Sequence, residues 1–239
     1  INLLPPPKLR AGPNRVDGRV CARRMGVRLL TFTAATGASD AVHARLDALG
    51  AVKAGRWRTH AVFLHPRNES NGLSDLFMVH FDEQPHAQYL ISGSVVMEAG
   101  TDIVGVVERV RAHAQRLKVT AEGSVYRCGD FTVRLGPLFL NENLSGTCCE
   151  IEYLPCSAAA GGAGLLKEFL ERILPADARD SIWRSSAGDR VGDLEASPAL
   201  PTQFGHEHAA CQFVGLMRAR LLPGSQEGRQ PASKRGRGE

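Results

Sequence analysis

Hydrophobic positions along the chain fall into two periodicities, which alternate several times between Met25 and Pro223. Val27–Phe32 is a short apolar run and predicts a strand. Ser39 then offers a helix N-cap. Val42, Leu46 and Leu49 share one helical face, and Gly50 supplies a stop. Trp57–Leu64 and Leu76–Phe81 predict two further strands. The second is apolar at nearly every position, as in a strand covered on both faces. Asp82-Glu83-Gln84-Pro85 reads as the turn into a partner strand, Gln88–Ser92.

A longer helix is predicted from Thr101 or Asp102. Ile103, Val106, Val107, Val110, Ala114 and Leu117 make a stripe at 3.6-residue spacing, with Glu108, Arg109, Arg111, Gln115 and Arg116 off it. Its valines lower the intrinsic propensity, so packing must hold it. Beyond it lie strands. Phe131, Val133 and Leu135 alternate with Asp130, Thr132 and Arg134, and Cys149, Ile151 and Tyr153 alternate with Glu150 and Glu152. Leu165–Leu174 then gives a helix with a broad apolar face, ended by Pro175, and His206–Leu222 gives another, ended by Pro223. The element order predicts an α+β protein with a mostly antiparallel sheet and about four helices.

A length of 239 residues suits one large domain or two small ones. The pattern places a single domain over 25–222, with a long, Ser-, Gly-, Asp- and Pro-rich connection at 175–203. Residues 1–24 read as a disordered basic extension and 223–239 as a disordered basic tail. Charge sharpens that division. Residues 1–24 hold six Lys/Arg against Asp17, whereas 25–223 hold 19 basic and 22 acidic residues. The net charge of +4 thus belongs to the ends, and the folded body is read as having no primary nucleic-acid role. No apolar run approaches the roughly 18–20 residues of a membrane helix.

The candidate chemistry is thin. The six cysteines include no C-x-x-C pair and predict reduced thiols in a reducing compartment. His206-x-His208-x-x-Cys211 offers zinc-type ligands, but on a helix the two histidines lie about 200° apart and cannot meet one ion. Cys156 precedes a Gly-rich loop and a helix, a superficial likeness to a nucleophile position, yet no spacing brings His65 or His113 to it. Gly161-Gly162-Ala163-Gly164 precedes a helix without the Gly-Lys-Ser/Thr ending of a phosphate loop. Glu150 and Glu152 share a strand face about 7 Å apart and read as a solvated face. No catalytic, cofactor or metal residue is assigned. Lys234-Arg235-Gly236-Arg237 is a weak basic cluster that could serve nuclear import.

Several longer strings resemble one known family. They begin at Met25-Gly26-Val27 and continue through Leu49-Gly50-Ala51-Val52-Lys53. The strongest stretch is Gly123-Ser124-Val125-Tyr126-Arg127-Cys128-Gly129-Asp130-Phe131-Thr132-Val133-Arg134-Leu135-Gly136. Glu150-Ile151-Glu152-Tyr153-Leu154-Pro155-Cys156 and Leu165-Leu166-Lys167-Glu168-Phe169-Leu170 follow, and Gln212-Phe213-Val214-Gly215-Leu216-Met217 fits more loosely. These resemble subunit 20 of the Mediator complex, the TBP-related head-module subunit. The resemblance implies a non-enzymatic nuclear protein with a strongly curved, barrel-like sheet flanked by helices. It further implies pairing with Mediator subunit 18, tethering by a C-terminal segment of subunit 8, contact with other head-module subunits, and relay of regulatory signals to RNA polymerase II. It carries no catalytic residues and assigns no partner-contact residue, no sequence-specific nucleic acid and no membrane. An edge of the sheet that pairs or packs with a sister subunit is the physical expectation for such a curved sheet. The alternative from another class is a small α+β enzyme with a thiol or metal site using Cys156 or Cys211.

Overall fold

The computed structural model describes residues 25–35, 37–68, 70, 72–158, 161–174, 183–186 and 200–222; over 183–186 only the backbone is described. The expected basic extension 1–24, the tail 223–239 and most of the 175–203 connection lie outside the described residues. Nine strands form one sheet: β1 Val27–Thr33, β2 Val52–Pro66, β3 Leu76–Phe81, β4 Ala87–Ser92, β5 Val95–Gly100, β6 His113–Cys128, β7 Phe131–Leu140, β8 Asn143–Tyr153 and β9 Trp183–Ser186. Four helices accompany them: α1 Ala38–Ala48, α2 Ile103–Val110, α3 Ala163–Ile173 and α4 His206–Leu216, the last continuing as a π-helical turn, Met217–Leu221.

The sheet order is β5-β4-β3-β2-β6-β7-β8-β1-β9, and every described pairing is antiparallel. The sheet does not close, because β5 and β9 are both ends of the order. It is nevertheless strongly curved. Helix α4 touches β3, β4 and β5 at one end and β1 and β9 at the other, which one helix can do only if the sheet wraps around it. Register shifts between Lys53 and Gly55, between Phe63 and Leu64, and between Leu138 and Phe139 supply bends. At Gly123 and Gly136, which face each other on β6 and β7, a Cβ on either would run into the backbone of the other strand. The two strands cross too closely there for any side chain.

The convex face is covered in two places. Helix α3 packs on β1 and β8 and touches α1, with Phe131 stacked on Phe169 at 4.0 Å between ring centroids. Helix α2 caps a small separate cluster of Leu64, Met78 and Leu90 through Ile103 and Val107. The main core is concave, where α4 buries Ala209, Ala210, Phe213, Val214, Leu216 and Met217, and Phe213 meets Phe81 edge-on. Strand β1 is buried at all seven positions, because α3 lies on one side and the lumen on the other.

Several sequence expectations need correction. The helix from Thr101 does not reach Leu117: it ends at Val110, Arg111 adopts a left-handed backbone (φ 55°), and His113 begins β6. Leu117, Val119 and Ala121 are buried at period two, so the strand pattern outcompetes the helical stripe once the sheet can bury it. The strand β5 goes unread, lying between the predicted partner strand and the helix. The N-cap of α1 is Gly37 rather than Ser39, which lies inside the helix. Strand β2 starts at Val52, several residues before the predicted Trp57.

Candidate functional site

The convex side of β7 and β8 carries the alternating apolar residues, so the other side faces the lumen. Arg28 on β1 stands across from Glu152 on β8; Glu152 in turn faces Thr132, and Glu150 faces Arg134, on β7. Four charged side chains are therefore set side by side by register alone. A fifth comes from a distance: Glu83 belongs to the β3–β4 turn on the opposite wing of the sheet. Curvature brings it across the lumen.

The contacts form one network. Arg134 reaches Glu150 at 2.8 Å, Glu152 at 2.9 Å and Glu83 at 2.9 Å. Arg28 reaches Glu83 at 2.8 Å, Glu150 at 3.0 Å and Glu152 at 3.5 Å. His206, the first residue of α4, binds Glu83 at 3.1 Å and lies flat against Tyr89. Glu152 also accepts the Gly26 amide at 2.9 Å, and Gln212 of α4 donates to the Arg28 carbonyl at 3.0 Å. The Glu83 contacts thus tie the two wings to each other, and His206 and Gln212 tie α4 to both.

The expected solvated face of Glu150 and Glu152 is overturned: they are 1 % and 5 % exposed. Alternation correctly put them opposite the apolar face, but the sheet's curvature turns that second face inward. Burial alone would raise the Glu83 carboxyl. The His206 hydrogen bond and the Arg28 and Arg134 guanidiniums outweigh it and hold that carboxyl far below the ordinary range. Glu152 behaves alike: burial opposes ionisation, and Arg28 and Arg134 more than compensate. Burial works against the Arg134 charge as well, yet its three carboxylates strengthen its hold on the proton.

A cavity of about 760 Å³ opens beside the network, lined also by Trp57, Phe81, Arg56, Arg58 and Arg127. Its size suits a small ligand. A carboxyl works best as an acid or base when poised near the working pH, whereas the neighbouring guanidiniums favour the ionised form of Glu83 and Glu152. The two guanidiniums hold both oxygens of Glu83, Oε1 of Glu150 and Oε2 of Glu152, so a cation there would have to displace them. Among the described residues no group of His, Cys, Asp and Glu is arranged to hold a metal ion.

The sequence candidates lie apart. His206 faces Glu83 at the lumen, whereas His208 stacks on Phe204 and accepts the Gly205 amide at Nδ1, capping α4. Burial lowers the His208 pKa, which favours the neutral ring that this acceptor role requires. Cys211 is buried on α4, and desolvation pushes its thiol up to about 12, the opposite of an activated nucleophile. Cys156 is half-buried in the connection after β8, its sulfur against the Ala158 carbonyl. Gly162 caps α3 with a left-handed backbone (φ 74°). The residues that sequence reasoning passed over are Arg28, Arg134 and Glu83. A lone arginine inside the apolar run Val27–Phe32 was the available signal.

An open, curved antiparallel sheet wound about a helix, with Arg28, Arg134 and three glutamates joining its walls, defines a fold of the barrel-like α+β class. The family model described as the TATA-binding related factor of subunit 20 of the Mediator complex matches residues 25–218. The chain belongs to that family. A curated relative, Mediator of RNA polymerase II transcription subunit 20b of Arabidopsis thaliana, is 28% identical over 72% of this chain and 74% of its own length. The Mus musculus subunit 20 is 25% identical over 70% and 74% respectively. Among solved structures, the PH1012 protein of Pyrococcus horikoshii aligns at a TM-score of 0.42 and 13% identity, over 66% of this chain and 94% of that one.

Proposed function

We propose that this chain is a non-enzymatic, nuclear subunit of the Mediator head module that pairs with subunit 18, is tethered by the C-terminal segment of subunit 8, and helps convey regulatory signals to RNA polymerase II. The observation that carries the reading is the family match, which runs from the first described residue to the π-helical turn after α4. The physics of the lumen supports it. Charged groups that an enzyme would leave poised are here consumed in bridging β1, β7 and β8 to the β3–β4 turn. Such a frame presents its outer surface and its sheet ends, β5 and β9, to partners.

The test is affinity purification of the tagged full chain from nuclear extract, with mass spectrometry of stoichiometric partners. Recovery of subunits 18 and 8 with other head-module subunits is expected. A chain that elutes alone, or with metabolic enzymes only, refutes the reading. Replacing Cys156 and Cys211 by Ser together is expected to leave that recovery and the metal content unchanged.

A further inference from the structure

Five of the eleven large apolar side chains that remain exposed among the described residues fall within 95–110. Val95 and Met97 lie on β5, and Val104, Val106 and Val110 on α2, with Val95 and Val110 the most open at 62% and 65%. Val95, Met97, Val106 and Val110 lie toward one surface, whereas Val104, about 200° round the helix from Val106, sits on the other flank with Glu108. Met97 stands opposite Leu90 of β4, and Leu90 is covered by Ile103 and Val107 of α2, so Met97 sits at the flank of that helix. Helix α2 itself buries no residue completely. An apolar strip of this kind beside a sheet end is the usual mark of an interaction site.

Its charges indicate what covers it. At about 100° per residue, Arg109 borders Val106 on α2, whereas Glu108 falls about 200° around the helix from Val106. Arg111 follows Val110 at the left-handed end of the helix, and Arg116 is the fourth residue of β6, the strand that follows α2. All three guanidiniums are exposed, and among the described residues none has a carboxylate within ion-pair distance; Arg109 donates only to the Gly105 carbonyl. The Val106–Val110 side is thus an apolar strip with a positive rim. A second copy of the chain docking through this face would set the rim against itself, since a two-fold contact is self-complementary. Nucleic acid would want a basic stripe rather than valines at the centre.

We propose that the α2–β5 face docks an acidic segment of another protein in which carboxylates are interleaved with apolar side chains. The apolar groups lie over Val106, Val110 and Met97, and the carboxylates meet Arg109, Arg111 and Arg116. Electrostatic complementarity of this type sets specificity and association rate, and alternating acidic and apolar residues are a recognisable composition. The inference does not depend on assembly into Mediator, because the binding is a property of the isolated chain.

The experiment titrates the full chain into a fluorescein-labelled synthetic peptide in which Asp and Glu alternate with Leu and Phe, and maps backbone amide shifts by NMR. Counter-probes are the same peptide with Lys in place of each acid, and an oligothymidylate. The acidic peptide is expected to bind with salt-sensitive affinity, shifting amides within 95–116, and neither counter-probe to match it. Arg109→Glu with Arg111→Glu should weaken the acidic peptide at least about tenfold and improve the Lys peptide, a reversal that loss of folding cannot mimic. Val106→Ser with Val110→Ser should weaken it comparably. Absence of binding, shifts centred elsewhere, tighter oligothymidylate binding, indifference to the charge reversal, or self-association through this face would each overturn the proposal.

Discussion

The lumen network makes its sharpest prediction at Arg134. Replacing it by Met keeps much of the side-chain length and removes three ion pairs, to Glu83, Glu150 and Glu152. Arg28 then remains alone against three carboxylates, two of them almost wholly buried. Breaking a buried pair by deleting one partner costs about 3–5 kcal/mol, because the stranded charge pays full desolvation. That is a large share of the roughly 5–15 kcal/mol that holds a domain together. With a urea slope of about 2 kcal/mol/M, the unfolding midpoint should fall by about 2 M. Trp57, on the cavity wall, gives a fluorescence signal for the titration. The loss should also depend on pH with a definite sign. Without Arg134, burial is opposed by one guanidinium fewer and the Glu83 and Glu152 carboxyls rise toward or above their unfolded values, so the penalty is present at neutral pH and fades as they protonate. The gap between wild type and variant should therefore shrink from pH 7 toward about pH 5. Adding Glu150→Met to Arg134→Met restores the original charge difference and should recover most of the loss, since a balanced apolar replacement is often neutral. A single variant within about 1 kcal/mol of wild type, a gap independent of pH, or additive losses in the double variant would refute the reasoning.

Three further outcomes follow from the same structure. In the wild type, Glu83 and Glu152 have folded-state pKa values below the unfolded value of 4.5; their contribution is complete above that value and is lost as pH falls through the lower folded values, so calorimetric Tm should decline with acidification below about pH 5. Gly136→Ala should destabilise by about 1–3 kcal/mol in urea unfolding, because its Cβ would strike the β6 backbone at Glu122 and Gly123; a neutral effect would mean that β6 and β7 are not so closely apposed. Cys148, Cys149 and Cys211 are buried, with thiols pushed upward by desolvation, Cys149 and Cys211 to about 12. A thiol reagent should modify them only on unfolding, while Cys128 and Cys156, which are part-exposed, react in the native protein.

The sequence by itself determined the local elements whose period is unambiguous. Leu76–Phe81 is apolar at every position but His80 and emerges as a strand with those bounds, and the alternation over Phe131–Leu135 and Cys149–Tyr153 names the convex apolar face of β7 and β8. The family strings were legible too, because order and length carry them. Tertiary structure decided the rest. Where two periods compete, as over Ile103–Leu117, the winner depends on which neighbour can bury the stripe; the strand β6 wins because β2 and β7 flank it on both sides. Alternation says that Glu150 and Glu152 share a face, yet whether that face meets water depends on the curvature of nine strands together. The same curvature carries Glu83 across the lumen to Arg28, which lies 55 positions away in sequence, so no local pattern could announce the pairing. A charged residue's partner is fixed by where the chain closes on itself, and that closure is a property of the whole sheet.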